Sequence, residues 1–190
     1  MPSSQENTVR NSDSARPDSS QASNDAGHKT MRRATTADVT IIRDLARAAY
    51  AKWVPILGRE PRPMTADYEA GVRDHLIDLL RVDGEAVALI EMAPKADHLL
   101  IVNVAVVPTH QGCGHGSALM AHAEEVARSL NLSEMRLYTN ARFAENLRLY
   151  GRLGYRVDRK EEHPQFGATV YMSKRLDAAG NEHSSNRKPS

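Results

Sequence analysis

One cysteine among 190 residues leaves no internal disulfide to form, which suits a reducing compartment. No apolar run approaches the roughly 20 residues that span a bilayer, and the segment after Met1 has no signal-peptide core. The expectation is a cytoplasmic protein without a membrane partner. Charge of one sign is also missing. Lys and Arg total 25 against 24 Asp and Glu, interspersed, for a net charge of +1. That balance offers no electrostatic surface for a nucleic acid, so none is expected as a partner. The eight histidines include no H-E-x-x-H pair, and no metal is expected.

What is present reads as one globular domain. Hydrophobic residues at 41% and charged residues at 26% suit a folded core rather than a disordered chain. The polar, Ser- and Asn-rich stretch over residues 1–29 lacks the apolar surface needed to offset its ordering entropy. The same holds for residues 178–190. Both are expected to be disordered tails around a domain over residues 30–177, with no internal repeat.

Periodicity divides that domain into elements. Thr30–Thr35 reads as a short strand. Thr36 is the expected N-cap of a helix with Val39, Ile42, Leu45, Ala46 and Ala49 on one face. A proline-studded loop, Trp53–Met64, precedes a helix near Ala66–Asp74. The runs Ile77–Val82 and Glu85–Met92 flank Asp83-Gly84, a strong hairpin signal, so they should be antiparallel neighbours. Leu99–Val107 is almost wholly apolar and stops at Pro108, as a buried central strand does. A helix follows with Leu119, Ala123, Val126, Ala127 and Leu130 directed inward. Then come a strand over Met135–Thr139, a helix over Phe143–Leu153, and strands near Tyr155–Asp158 and Thr169–Lys174. Hairpins first, then alternating strands and helices, predict an α/β (α+β) fold: a mixed sheet with helices on both faces.

The richest segment joins the central strand to its helix. Gln111-Gly112-Cys113-Gly114-His115-Gly116 carries three alternating glycines at a strand-to-helix junction. Backbone amides at a helix start, unobstructed by side chains, form an anion site that phosphate oxygens can approach. A P-loop would need Lys-Ser or Lys-Thr after the last glycine, whereas Ser117-Ala118 follows. A dinucleotide fold would space its glycines differently and end the next strand near an acid; here that strand ends Tyr138-Thr139-Asn140.

The loop resembles the Q/R-x-x-G-x-G/A pyrophosphate loop of the GNAT N-acetyltransferases, and the similarity in element order runs from Met31 to Leu176. Downstream, Glu145–Tyr155 is similar to the family's second signature, with Asn146 and Tyr150 facing the cofactor thiol. Leu57–Met64 resembles a subgroup of uncharacterised small acetyltransferases and implies no substrate. The resemblance implies a mostly antiparallel central sheet that splays at the cofactor site, and acetyl-CoA as co-substrate. Gln111, Gly112, Cys113, Gly114, His115, Gly116 and Ser117 would bind its pyrophosphate. Val104, Ala105 and Val106 would offer backbone groups to its acetyl carbonyl and pantetheine amides, and Asn146 would contact pantetheine or phosphate. Tyr150 would be the general acid that serves the departing sulfur. Residues 146 and 150 lie one helical turn apart, which agrees with a shared target.

The acceptor implied is a primary amine, on a small molecule or a peptide N-terminus, attacked directly in a ternary complex. A homodimer is also compatible with the resemblance. Two departures stand out. Leu100 and Val102 align with the family's usual base on the central strand and are apolar; alternation puts Asn103 on the opposite face. Glu91 on the preceding strand, or solvent, remains for the base. The loop also carries His115 in place of an aliphatic residue; His110 and His115 are expected to face solvent. Cys113 is assigned no chemistry. The contrasting reading is a non-catalytic acyl-CoA sensor or interaction module.

Overall fold

The structure is a computed structural model and describes residues 28–164 and 167–177. Of the tails expected over residues 1–29 and 178–190, residues 1–27 and 178–190 lie outside the described residues, while Lys29 already belongs to the first strand. In chain order the elements are β1 (Lys29–Arg33), α1 (Val39–Tyr50), α2 (Val54–Leu57), α3 (Tyr68–Asp74), β2 (Leu76–Val82) and β3 (Glu85–Pro94). There follow β4 (Leu99–Val106), α4 (His115–Ser129), β5 (Glu134–Asn140), α5 (Ala144–Arg152), β6 (Arg156–His163) and β7 (Gly167–Arg175). The seven strands form one sheet in the order β1-β2-β3-β4-β5-β7-β6. Every pairing is antiparallel except β4 with β5.

Local chemistry accounts for the joints. Asp83 and Gly84 both take positive φ, 50° and 86°, which fits the right-handed twist of a tight hairpin, and Val82 pairs with Glu85 across it. The N-terminal cap of the first helical segment is Thr35, one residue earlier than expected. The Asp38 carboxylate accepts from the Thr35 backbone N–H at 2.8 Å and from its hydroxyl at 3.0 Å, closing a 3₁₀ turn over Thr36–Asp38. The Arg32 guanidinium forks onto the same carboxylate and holds it well below the usual range. Asp67 caps α3 by accepting from the amides of Glu69 and Ala70.

Two cores result, one on each sheet face. All five residues expected on the inner face of α1 are buried, packing with Tyr50 and Tyr68 against Ile77, Leu79, Leu89 and Ala105. On the other face Leu119, Met120, Ala123 and Ala127 of α4 pack on Ile90, Met92, Leu99 and Ile101, joined by Tyr150 of α5. Burial at each large aliphatic position contributes about 1.5–3 kcal/mol, so α4 is clamped to the strand that carries its loop. Leu130 departs from the expected inward face and is 43% exposed, because the helix ends at Ser129 and Leu130 is its C-cap. No described helix is long and apolar enough to cross a membrane.

Candidate active site

β4 and β5 run together for three residue pairs, Leu99–Met135, Leu100–Arg136 and Ile101–Leu137, and then part. Beyond that point β4 pairs only with β3, up to Val106, while β5 pairs with β7 up to Asn140. The opening between them is part of a cleft of about 1110 Å³, lined by Val102, Asn103, Val104, Thr139, Asn140, Asn146 and Tyr150 among others. Val107 donates its N–H to the Val87 carbonyl, so backbone groups of alternate residues, Val104 and Val106, point the other way, toward the opening. The carbonyl contacts agree: Val106 accepts from Gln111 Nε2 at 2.8 Å, and Val104 lies 3.3 Å from the Tyr50 hydroxyl. Ala105, by the same alternation, faces β3 with its backbone and buries its methyl under α1.

The parting coincides with a bulge. Glu91 faces Asn103 and Met92 faces Ile101, so Val102 is an extra residue that reverses the alternation of β4. Leu99 and Ile101 enter the core beneath α4, whereas Asn103 and Ala105 point toward α1. Strict alternation had put Asn103 on the face opposite Leu100; the bulge corrects this and turns Asn103 into the cleft. There Asn103 Oδ1 accepts from the Tyr50 hydroxyl at 2.8 Å, and its Nδ2 donates to the Tyr68 hydroxyl at 3.3 Å. Tyr68 in turn donates to the Pro63 carbonyl at 2.7 Å. Glu91 lies on the same floor, buried, with Oε1 2.6 Å from His75 Nδ1. Burial raises both phenols, Tyr50 and Tyr68, well above the ordinary value, so they remain neutral donors.

At the other end of β4 the glycine loop takes the form its sequence suggests. Gly112 and Gly114 both have φ of 81°, Gly114 being the N-cap of α4. Left-handed residues alternating with others before a helix turn successive N–H groups to one side, making a concave anion site at the positive end of the helix. At Gly116 a Cβ would come within 3.3 Å of Leu149 Cδ2, so this glycine permits the close approach of α5. Ser117 lies in the first turn of α4, half-buried. The Gln111 side chain is committed to protein, bridging the Val106 carbonyl and Lys52 Nζ at 3.0 Å, and Lys52 also pairs with Glu145 at 2.6 Å. Lys52 beside the loop was not singled out in the sequence, where nothing distinguishes it from any surface lysine.

His115 corrects an expectation. It is 5% exposed rather than solvent-facing, at the first residue of α4; its ring centroid lies 5.9 Å from that of half-buried His110. Burial lowers its pKa, with Lys29 and His110 adding to the effect, so it is neutral near pH 7. Cys113 is exposed and free. A bulky maleimide on Cys113 is expected to block acetyl-CoA binding, and saturating coenzyme A to slow the alkylation. Cys113→Ala is expected to retain turnover. A folded alanine variant that binds acetyl-CoA but is inactive would give the thiol a chemical role.

Asn146 and Tyr150 project from one face of α5 into the cleft. Tyr150 is 6% exposed, and burial pushes its pKa up to about 12. Among the described residues no group hydrogen-bonds its hydroxyl, although its ring meets that of Tyr155 at 5.9 Å. Trp53 is core, its ring tilted against that of Phe143 with centroids 4.4 Å apart. Among the described residues no group of three or more His, Cys, Asp or Glu side chains is placed to hold a metal.

Comparison with known proteins converges on one family. The family model described as the acetyltransferase (GNAT) family matches residues 40–155. The ribosomal-protein-S18-alanine N-acetyltransferase of Escherichia coli is 19% identical, with 83% of this chain and 99% of that one aligned at a TM-score of 0.67. The PaiA N-acetyltransferase of Thermoplasma acidophilum, solved with coenzyme A, gives 17% identity, 78% and 99% coverage, and a TM-score of 0.63. A GNAT family acetyltransferase of Elizabethkingia anophelis with acetyl-CoA bound gives 16%, 78% and 98%, and 0.59. No curated relative matches the sequence.

Proposed function

We propose that this chain, which belongs to the GNAT acetyltransferase family, is an N-acetyltransferase that moves the acetyl group of acetyl-CoA onto a primary amine in one ternary complex. The observation that carries the reading is the convergence of Tyr150 and Asn146 on the opening beside β4, in a chain whose following loop holds Gly112 and Gly114 at positive φ. Acetyl-CoA supplies an activated thioester. The amides of the Gly112–Gly116 loop would take its pyrophosphate, and the outward backbone groups of Val104 and Val106 would orient its thioester arm.

The chain's own groups then handle two protons. As the amine nitrogen bonds to the acetyl carbon and the carbon–sulfur bond breaks, the ammonium proton must leave and the sulfur must be stabilised. Tyr150, raised to about 12, stays protonated at neutral pH and offers its O–H to the sulfur as charge develops there. Glu91 receives the amine's proton, directly or through one water, and His75, with a half-buried side chain 2.6 Å away, leads it outward. No covalent enzyme intermediate is needed.

The reading is tested by following thiol release from acetyl-CoA across a panel of amines, with saturable, amine-dependent release expected. If no amine raises the rate above that of hydrolysis, the transferase reading falls. Glu91→Gln should lower kcat by about 10²-fold or more, while acetyl-CoA affinity stays unchanged. Undiminished kcat in a folded Glu91→Gln protein would hand the base role to solvent.

A further inference from the structure

The acceptor end of the cleft has a charge layout that the transfer chemistry does not use. Its ionisable lining groups besides the tyrosines are Glu91 and Asp67 against Arg59, Arg62 and His163. Glu91 sits on the floor beside His75, and Asp67 is engaged through Oδ1 in capping α3. Arg62 is different. Among the described residues no acid lies within salt-bridge distance of its guanidinium, and its side chain makes no hydrogen bond. The loop that presents it is nonetheless well fixed. Gly58 closes α2 at φ 70°, Arg47 ties down both Glu60, at 2.9 Å, and the Met64 carbonyl, and Tyr68 holds the Pro63 carbonyl at 2.7 Å.

That last contact ties the turn to the cleft floor. The Tyr68 hydroxyl bonds on one side to Asn103 of the cleft floor and on the other to Pro63, the residue after Arg62. One phenol therefore joins the acid-bearing floor, where the amine reacts, to the turn that carries the unpaired cation. Resting on the transferase reading above, we infer that the acceptor is a small amine bearing its own carboxylate, of the amino-acid class, with Arg62 receiving the carboxylate. A guanidinium fork matches a carboxylate geometrically, and the pair forms charge-assisted hydrogen bonds. The same cation opposes a second ammonium, so polyamines are disfavoured.

The test compares L-amino acids with their own carboxamides and decarboxylated amines, and with spermidine, by thiol release. Wild type should prefer the carboxylate form in kcat/KM by about 10- to 100-fold, the size of a charge-assisted hydrogen bond. In Arg62→Glu the ratio should collapse to about one or invert, with acetyl-CoA affinity unchanged by calorimetry, and Arg62→Lys should keep part of the preference. Turnover of amines without a carboxylate preference, or a preference that survives Arg62→Glu, overturns this inference alone. Absence of turnover with every amine overturns the transferase reading, and this inference with it.

Discussion

Tyr150→Phe is expected to lower kcat by roughly 10²- to 10⁴-fold, the range of a lost general acid, while acetyl-CoA affinity stays close to wild type. The substitution removes one oxygen from a buried ring whose hydroxyl has no protein partner among the described residues, so packing against Tyr155 and the α4 core survives. The loss belongs in kcat rather than KM, because the bond to sulfur strengthens only as negative charge accumulates there. Since burial holds the phenol at about 12, deprotonation of Tyr150 should not produce an alkaline fall in wild-type kcat below about pH 10. Rapid turnover by Tyr150→Phe would reduce Tyr150 to a core residue and leave the coenzyme A site standing without this mechanism.

Gly114→Val should abolish measurable acetyl-CoA binding, a loss of at least about 100-fold by calorimetry. Two effects combine at this position. A β-branched residue at φ 81° is strained, so the loop must leave the conformation that aims its amides outward. No protein atom lies within 4 Å of a Cβ added at Gly114, so that Cβ would enter open space beside the loop, the space the proposed reading gives to phosphate. Each lost charge-assisted hydrogen bond from an amide costs about 1.5–3 kcal/mol. The variant should still melt cooperatively, because Leu119, Met120, Ala123 and Ala127 hold α4 independently of the loop. Wild-type affinity in that folded variant would remove the loop from the site.

Much of this was legible in the sequence because it rests on local rules. Asp83-Gly84 specifies its hairpin through positive φ at both residues, and the 3.6-residue spacing of Val39, Ile42, Leu45, Ala46 and Ala49 specifies the buried face of α1. The glycine loop and the 146/150 pair are equally local. What stayed hidden depends on non-local register. The bulge at Val102 exists only relative to β3, yet it decides that Asn103 enters the cleft. The Tyr50–Asn103–Tyr68 network joins residues 53 and 35 positions apart, and His75 reaches Glu91 across 16. The burial of His115 likewise follows from how α4 seats on the sheet, which a glycine-rich motif does not reveal. Leu130 shows the opposite failure: a correct apolar period extended one residue past the helix end.

The most direct test of the central claim is a single turnover with isotope-labelled acetyl-CoA, enzyme in excess, and an amine that supports thiol release, analysed by mass spectrometry of protein and small molecules together. Direct transfer moves the label wholly to the amine nitrogen, with one free coenzyme A thiol expected for each acetylated amine and no labelled protein at any time point. Label on the protein, at Cys113 above all, would contradict direct transfer. Labelled acetyl-CoA that stays bound and intact would contradict the transferase itself and leave an acyl-CoA sensor.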